Sequence, residues 1–134
     1  MSQHERARTL LGKAAEDEAL LDLVLHSTAV SDAIIGFHCQ QAAEKLLKAV
    51  LAETGVVFRR THDIVELVDL AIDHGLMEPS EFEDLRELTP FAVELRYESF
   101  LDDATDAPLD RDAVRALLRR LRAWADARVP ARGT

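Results

Sequence analysis

The chain has little of what marks secreted, membrane or loop-rich proteins. Its one cysteine, Cys39, cannot form an internal disulfide, so we expect a reducing compartment. No apolar run approaches the ~20 residues that a membrane-spanning helix needs, and no charged-then-apolar segment opens the chain. Five glycines and four prolines in 134 residues leave little room for long loops. Together these absences predict a cytoplasmic protein with no membrane association.

Positive charge is also scarce, and it is unevenly placed. The formal charge of −9 argues against general nucleic-acid binding, which needs a net positive surface. Seven of the sixteen basic residues nevertheless fall in the last 24 positions: Arg111, Arg115, Arg119, Arg120, Arg122, Arg128 and Arg132. Four of them, at 111, 115, 119 and 122, form a stripe that could contact RNA or be a solvated face. With so acidic a chain, we favour the solvated face.

What is present is helical periodicity, and no stretch alternates long enough to suggest a strand. We predict helices from about Gln3 to Leu25, from Ser31 to Thr54, from Thr61 or Asp63 to Gly75, from Pro79 and Ser80 onward, and from about Leu109 to Val129. Ser80 with Glu83 forms a capping-box pattern, and Pro90 should kink that helix or start another. The apolar content of 48% is sufficient for a core. The pattern predicts an all-α protein, an antiparallel up-and-down bundle of four to five main helices in one domain, 1–134.

Motifs for cofactors and metals are lacking. No Gly-rich loop suited to cradling phosphates is visible, and the acidic stretch of Asp102, Asp103 and Asp106 lacks the spacing of a calcium loop. We therefore predict no cofactor and no metal site.

The second helix carries a polar stripe opposite its apolar face. The apolar face comprises Ile35, Cys39, Ala42, Ala43, Leu46 and Val50, and the stripe comprises Phe37, Gln41, Glu44 and Lys48. One interpretation is a solvated face on which Glu44 and Lys48 form a surface ion pair. The other is a dimer interface anchored by Phe37. Cys39, on the apolar face, is expected to be inert.

Three segments in order carry a family resemblance: FHCQQAAEKLLKA at 37–49, THDI at 61–64 and LRYE at 95–98. Together they resemble the HEPN family, in particular its prokaryotic stand-alone branch. The resemblance implies a bundle of four or five helices that forms a homodimer. It also implies a minimal nucleotidyltransferase as partner, in systems of the toxin–antitoxin type. Active members are metal-independent ribonucleases, whose motif is an Arg, four to six residues and a His, contributed by both subunits to the dimer cleft.

The chain departs from that catalytic motif. Arg96 matches the arginine, but Leu101, Asp102 and Asp103 stand where the histidine should be, and none of the five histidines follows any arginine at that spacing. Arg96 and Tyr97 instead resemble the RY pair of the non-nuclease branch. We therefore predict a non-catalytic, homodimeric interaction module that binds a nucleotidyltransferase, or a nucleotide or RNA in its dimer cleft. The alternative is a divergent ribonuclease that uses Arg96 with Glu98, His62 or Asp102 as base.

The candidate ligand or cleft residues are Arg96, Tyr97, His62 and Asp63. His62 and Asp63 could form an acid–base pair or contact a phosphate at a helix start. The simpler interpretation is that Thr61 and Asp63 cap the helix and His62 only occupies the turn, and we favour it.

Overall fold

The computed structural model of the protein describes residues 1–91 and 109–131. Within these ranges the chain forms α1 (Gln3–Val24), α2 (Asp32–Glu53), α3 (Ile64–Asp73), a 3₁₀ helix (Glu83–Phe91) and α4 (Arg111–Arg128). The described residues contain no strand. The prediction of an all-α, helical-bundle fold is confirmed.

The helix ends follow local sequence chemistry. The N-caps are Ser2, Ser31, Asp63 and Asp110, and the side chain of each accepts a backbone amide hydrogen of the first turn. Gly55 and Gly75 follow α2 and α3 with φ of +75° and +71°. This left-handed conformation strains other residues, so glycine ends both helices where the sequence predicted.

α2 is the central helix of the bundle. It runs antiparallel to α1, because His4 near the start of α1 contacts Glu53 at the end of α2, whereas His38 near the start of α2 contacts Asp17. α4 also runs antiparallel to α1, with Asp22 beside Arg115. Neighbours on several sides bury thirteen residues of α2, polar ones included. A helix enclosed in this way has no fully solvated face.

The fourth predicted helix differs from expectation. It begins at Glu83 and has 3₁₀ geometry, and the expected Ser80 capping box is replaced by a bond from the Glu78 amide to the Glu81 carboxylate. Pro90 lies inside this element. Proline has no amide hydrogen and its ring crowds the carbonyl four residues earlier, so an α-helical turn is unfavourable there.

Both inner ends of the described ranges lie against the first turns of α2. The Phe91 ring packs so closely on Gly36 that an added Cβ would lie 2.6 Å from its Cε1. The Leu109 amide donates to Asp32 Oδ2 at 3.2 Å. Gly36 therefore fits here because it has no side chain.

None of the helices in the described part of the chain is long and apolar enough to cross a membrane.

Candidate functional site

A connected polar cluster extends from the interior to the surface where α2 meets the loop before α3. Glu44 is its centre: Oε1 accepts from Lys48 Nζ at 2.8 Å and contacts His62 Nδ1 at 2.9 Å, and Oε2 accepts from Gln40 Nε2 at 3.1 Å. Gln41 extends the cluster by donating to Gln40 Oε1 at 2.8 Å. We call Gln40, Glu44, Lys48 and His62 the α2–His62 cluster.

The burial of Glu44 contradicts the interpretation in which Glu44 and Lys48 form a surface ion pair. Glu44 is only 4% exposed and Gln40 is fully buried. A carboxylate withdrawn from water needs several hydrogen-bond donors, and Glu44 has three. Gln40 and Lys48 lie about one helical turn before and after it on α2, and His62 comes from the loop before α3. Phe37 and Gln41 are half-buried. The stripe is therefore divided: Glu44 lies in the protein's own interior, whereas Phe37, Gln41 and Lys48 keep partial access to solvent.

Helix α2 holds His62 at two points. Gln40 Nε2 donates to the His62 carbonyl oxygen at 3.0 Å, and Glu44 holds the ring. The prediction that His62 only occupies the capping turn is wrong. Capping itself is confirmed: Asp63 Oδ1 accepts from the Val65 and Glu66 amides. The Asp63 carboxylate is thus used in the cap of α3, and the carboxylate that pairs with the His62 ring is that of Glu44.

The other candidate residues lie elsewhere. Arg96 and Tyr97, and with them Glu98 and Asp102, lie outside the described residues. Cys39 is fully buried, and burial raises the pKa of its thiol to about 12. At neutral pH the reactive thiolate is therefore scarce, as expected of an inert buried cysteine.

Most of the arginine stripe of α4 is an ion-pair network with α1 and the start of α2, so the interpretation as a solvated face holds only at Arg119, which is exposed. Arg115 is buried and contacts Asp22 and Glu18 of α1, and Arg122 donates to Glu18 Oε2 at 2.6 Å. Arg111 donates to Asp32 Oδ1 at 2.7 Å. Three of the four stripe guanidiniums donate hydrogen bonds to carboxylates of the same chain, and Arg119 lies 3.6 Å from Asp22, so the case for an RNA-binding stripe is weakened.

Asp22 shows the electrostatics of this network. Its pKa lies below the usual value of 3.8, chiefly because the Arg115 guanidinium donates hydrogen bonds to the ionised carboxylate. The pKa of Arg115 is raised for the same reason. Each partner keeps the other charged.

The match to a family model covers residues 7–124, and the model is described as the HEPN domain. The chain belongs to the HEPN family. No curated protein and no solved structure matches the chain significantly. The α2–His62 cluster lies inside the matched range, and it joins the QQAAEK segment of this HEPN domain to its THD segment, the two sequence pieces that carried the resemblance.

Sequence reasoning missed one member of the cluster, Gln40. Its signal was weak, because at about 100° per residue Gln40 lies beside Glu44, at the edge of the polar stripe, and not on the apolar face. A polar residue at a buried position needs a partner, and its partners here are Glu44 and the His62 carbonyl.

Proposed function

We propose that the protein is a non-catalytic HEPN interaction module. It forms a homodimer that binds a nucleotidyltransferase-type protein, in a system of the toxin–antitoxin kind, or a nucleotide or RNA ligand in the dimer cleft. The observation that carries the proposal is a mismatch: the HEPN domain covers 7–124, but no histidine follows any arginine at the catalytic spacing. A chain that keeps the fold without the proton-transfer residue is suited to binding rather than cleavage.

The dimer contact is proposed on the part of the stripe that stays accessible, around Phe37, Gln41 and Lys48. Glu44, buried beneath this surface, holds Gln40 and Lys48 through hydrogen bonds. Phe37 meets His38 edge to face, with ring centroids 5.2 Å apart. A partly exposed aromatic on a rigid helix fits the residue type that anchors protein interfaces.

Sedimentation velocity of wild type and Phe37→Asp tests the dimer. We expect a wild-type dimer at low micromolar concentration and a shift of the variant to monomer, because a carboxylate would be desolvated in the contact. Val57→Asp is the matched control, because Val57 is 91% exposed on a loop and should leave the dimer intact. A monomeric wild type, or a Phe37→Asp protein that stays dimeric, would refute the proposed interface.

The partner is tested separately, by sequencing the neighbouring genes and expressing the chain together with any nucleotidyltransferase that they encode. We expect one complex on size-exclusion chromatography that survives moderate salt. Separate elution of the two proteins would remove this partner from the proposal.

A further inference from the structure

We propose that a groove between the start of α1 and the loop after α2 binds an acidic peptide segment of a partner protein. One apolar side chain of the segment occupies the groove, and a carboxylate beside it pairs with Arg6. We call this surface the Arg6 groove. Its lining includes Gln3 and Arg6 of α1, Ala52 in the last turn of α2, and Val57 and Phe58 of the loop.

The Arg6 groove is distant from Phe37, the anchor of the proposed dimer contact. Ala52 lies fifteen residues after Phe37 on α2, which is roughly 22 Å along the helix. The inference therefore goes beyond the proposed function and does not depend on the dimer.

The two walls of the groove are held close together. His4 at the start of α1 contacts the Glu53 carboxylate at the end of α2 at 2.9 Å. Gly55 has a φ of +75°, and a Cβ added there would lie 3.2 Å from Gln3 Nε2, so the loop passes close to α1. A surface that is already formed loses little conformational entropy when a ligand binds.

The size and the apolar lining fit one aliphatic side chain. Ala52 is buried, Val56 and Phe58 are half-buried, and Val57 is 91% exposed. The groove holds about 170 Å³, which is less than the roughly 300–1,000 Å³ of sites that enclose a cofactor or a drug-sized ligand. An apolar side chain bound beside Val57 would remove apolar surface from water on both partners.

Arg6 makes the groove selective for negative charge. Its guanidinium lies over the Phe58 ring, 5.1 Å from the centroid. No ion pair joins Arg6 to a carboxylate within residues 1–91 and 109–131, and Glu53 at the end of α2 is paired with His4. The exposed Arg6 can therefore accept a carboxylate from another molecule, and arginine presents a planar fork of donors that matches one.

A peptide is the ligand that combines the required groups. It carries an aliphatic side chain next to a carboxylate, and its main chain has both donors and acceptors. The Gln3 side-chain amide also donates and accepts, so it can bond a peptide main chain at the rim of the groove. Recognition of acidic segments by arginine is a recurring mode of peptide binding.

Binding is tested on the ¹⁵N-labelled full chain with three peptides that are capped at both ends. The first has one leucine between two glutamates, the second has lysines in place of the glutamates, and the third has alanine in place of the leucine. We expect the first peptide at millimolar concentration to shift the amide signals of Gly55, Val57 and Phe58. The second and third peptides should bind more weakly.

Variants of exposed residues separate the two parts of the contact without disturbing the core. Arg6→Gln should weaken binding of the first peptide roughly fivefold, as expected for loss of an exposed ion pair. Arg8→Gln is the matched control, because it removes the same charge from an exposed position about 200° further round α1 and should bind like wild type. Val57→Asp should abolish binding, because it places a carboxylate beside the acidic ligand.

The outcomes that overturn the inference are distinct from those that bear on the dimer. No shift with the first peptide, equal binding of the lysine or alanine peptide, or wild-type affinity in Arg6→Gln would each refute it. Phe37→Asp should bind the first peptide like wild type whether it is a monomer or a dimer. Failure of every peptide with an intact wild-type dimer would reject the Arg6 groove and leave the homodimeric module standing.

Discussion

Arg115 of α4 and Asp22 of α1 form a two-pronged ion pair across the bundle. Nε lies 2.6 Å from Oδ1 and a terminal guanidinium nitrogen lies 3.0 Å from Oδ2. The other terminal nitrogen reaches Glu18 Oε1 at 3.4 Å. A single buried guanidinium therefore satisfies two carboxylates that lie one turn apart on α1, and it joins the first helix to the last.

Replacing Arg115 with alanine should be strongly destabilising. Glu18 is buried and would lose one of its two arginine partners, a loss that typically costs about 3 kcal/mol. Arg119→Ala is the matched control: Arg119 is largely exposed and only 3.6 Å from Asp22, so its change should stay within about 0.5 kcal/mol. Urea denaturation measures both. Equal effects of the two variants would show that the buried network contributes little.

The lowered pKa of Asp22 and that of Asp32 predict a loss of stability in acid. Arg115 lowers the first, and Arg111 with the Leu109 amide lowers the second. A carboxyl group whose folded pKa lies below its unfolded value stabilises the fold fully above that value, here 3.8, and loses this contribution as pH falls through the folded pKa.

We therefore expect the free energy of unfolding to decline below about pH 4, more steeply in wild type than in Asp22→Asn. Denaturation followed by circular dichroism at several pH values measures the slope. Glu16→Gln is the control, since Glu16 is exposed beside Lys13. Parallel slopes in wild type and Asp22→Asn would count against this role of the ion pair.

Two glycines in helices should respond in opposite directions to alanine. Gly36→Ala places a Cβ against the Phe91 ring, and relieving such a clash typically costs about 1–3 kcal/mol. At Gly12, in α1, an added Cβ meets nothing within 4 Å, so Gly12→Ala should raise stability by up to about 1 kcal/mol. Thermal unfolding of both variants measures the two stability changes. A Gly36→Ala protein as stable as Gly12→Ala would mean that Phe91 does not pack as described.

The purified protein should not cleave single-stranded RNA or tRNA above background, with or without divalent metal. Metal-independent cleavage needs a group that titrates near neutrality, and the chain has Leu101, Asp102 and Asp103 where the family motif has its histidine. Carboxyl groups ordinarily titrate near pH 4, and their charge repels phosphate. A gel assay on labelled RNA measures the activity, and expression should not arrest growth.

Cleavage that Arg96→Ala abolishes would instead support the divergent ribonuclease. His62→Gln would then be the next variant to assay, because the His62 side chain is 43% exposed to solvent and its ring is held by Glu44. A contaminating nuclease is recognised by activity that persists in Arg96→Ala.

Local signals in the sequence predicted the helices and their ends well. The caps at Ser31 and Asp63 and the glycine stops at 55 and 75 depend on a few adjacent residues, so they can be read from a short window. The 3₁₀ helix could not be predicted in the same way. Ser80 with Glu83 is a valid capping pattern, but in the structure the Glu78 amide instead donates to the Glu81 carboxylate.

The polar residues were harder, because their environment is set by distant parts of the chain. Periodicity places Glu44 opposite the apolar face, yet His62, eighteen positions later, closes over it. Arg115 looks solvated until α1 brings Glu18 and Asp22 beside it, from 97 and 93 positions away. Helical periodicity describes one helix at a time, so it cannot tell which polar face another element will cover.

Arg111 has a consequence for the order in which the chain assembles. Its guanidinium donates to the carbonyls of Leu25, Ser27 and Val30, which belong to the turn between α1 and α2, from 81 to 86 positions earlier. During synthesis α1 and α2 leave the ribosome long before this arginine does, so the carbonyls of their connecting turn must first be hydrated by water. We expect the pair of helices to form early and their turn to become rigid only after α4 has been synthesised and has packed against it.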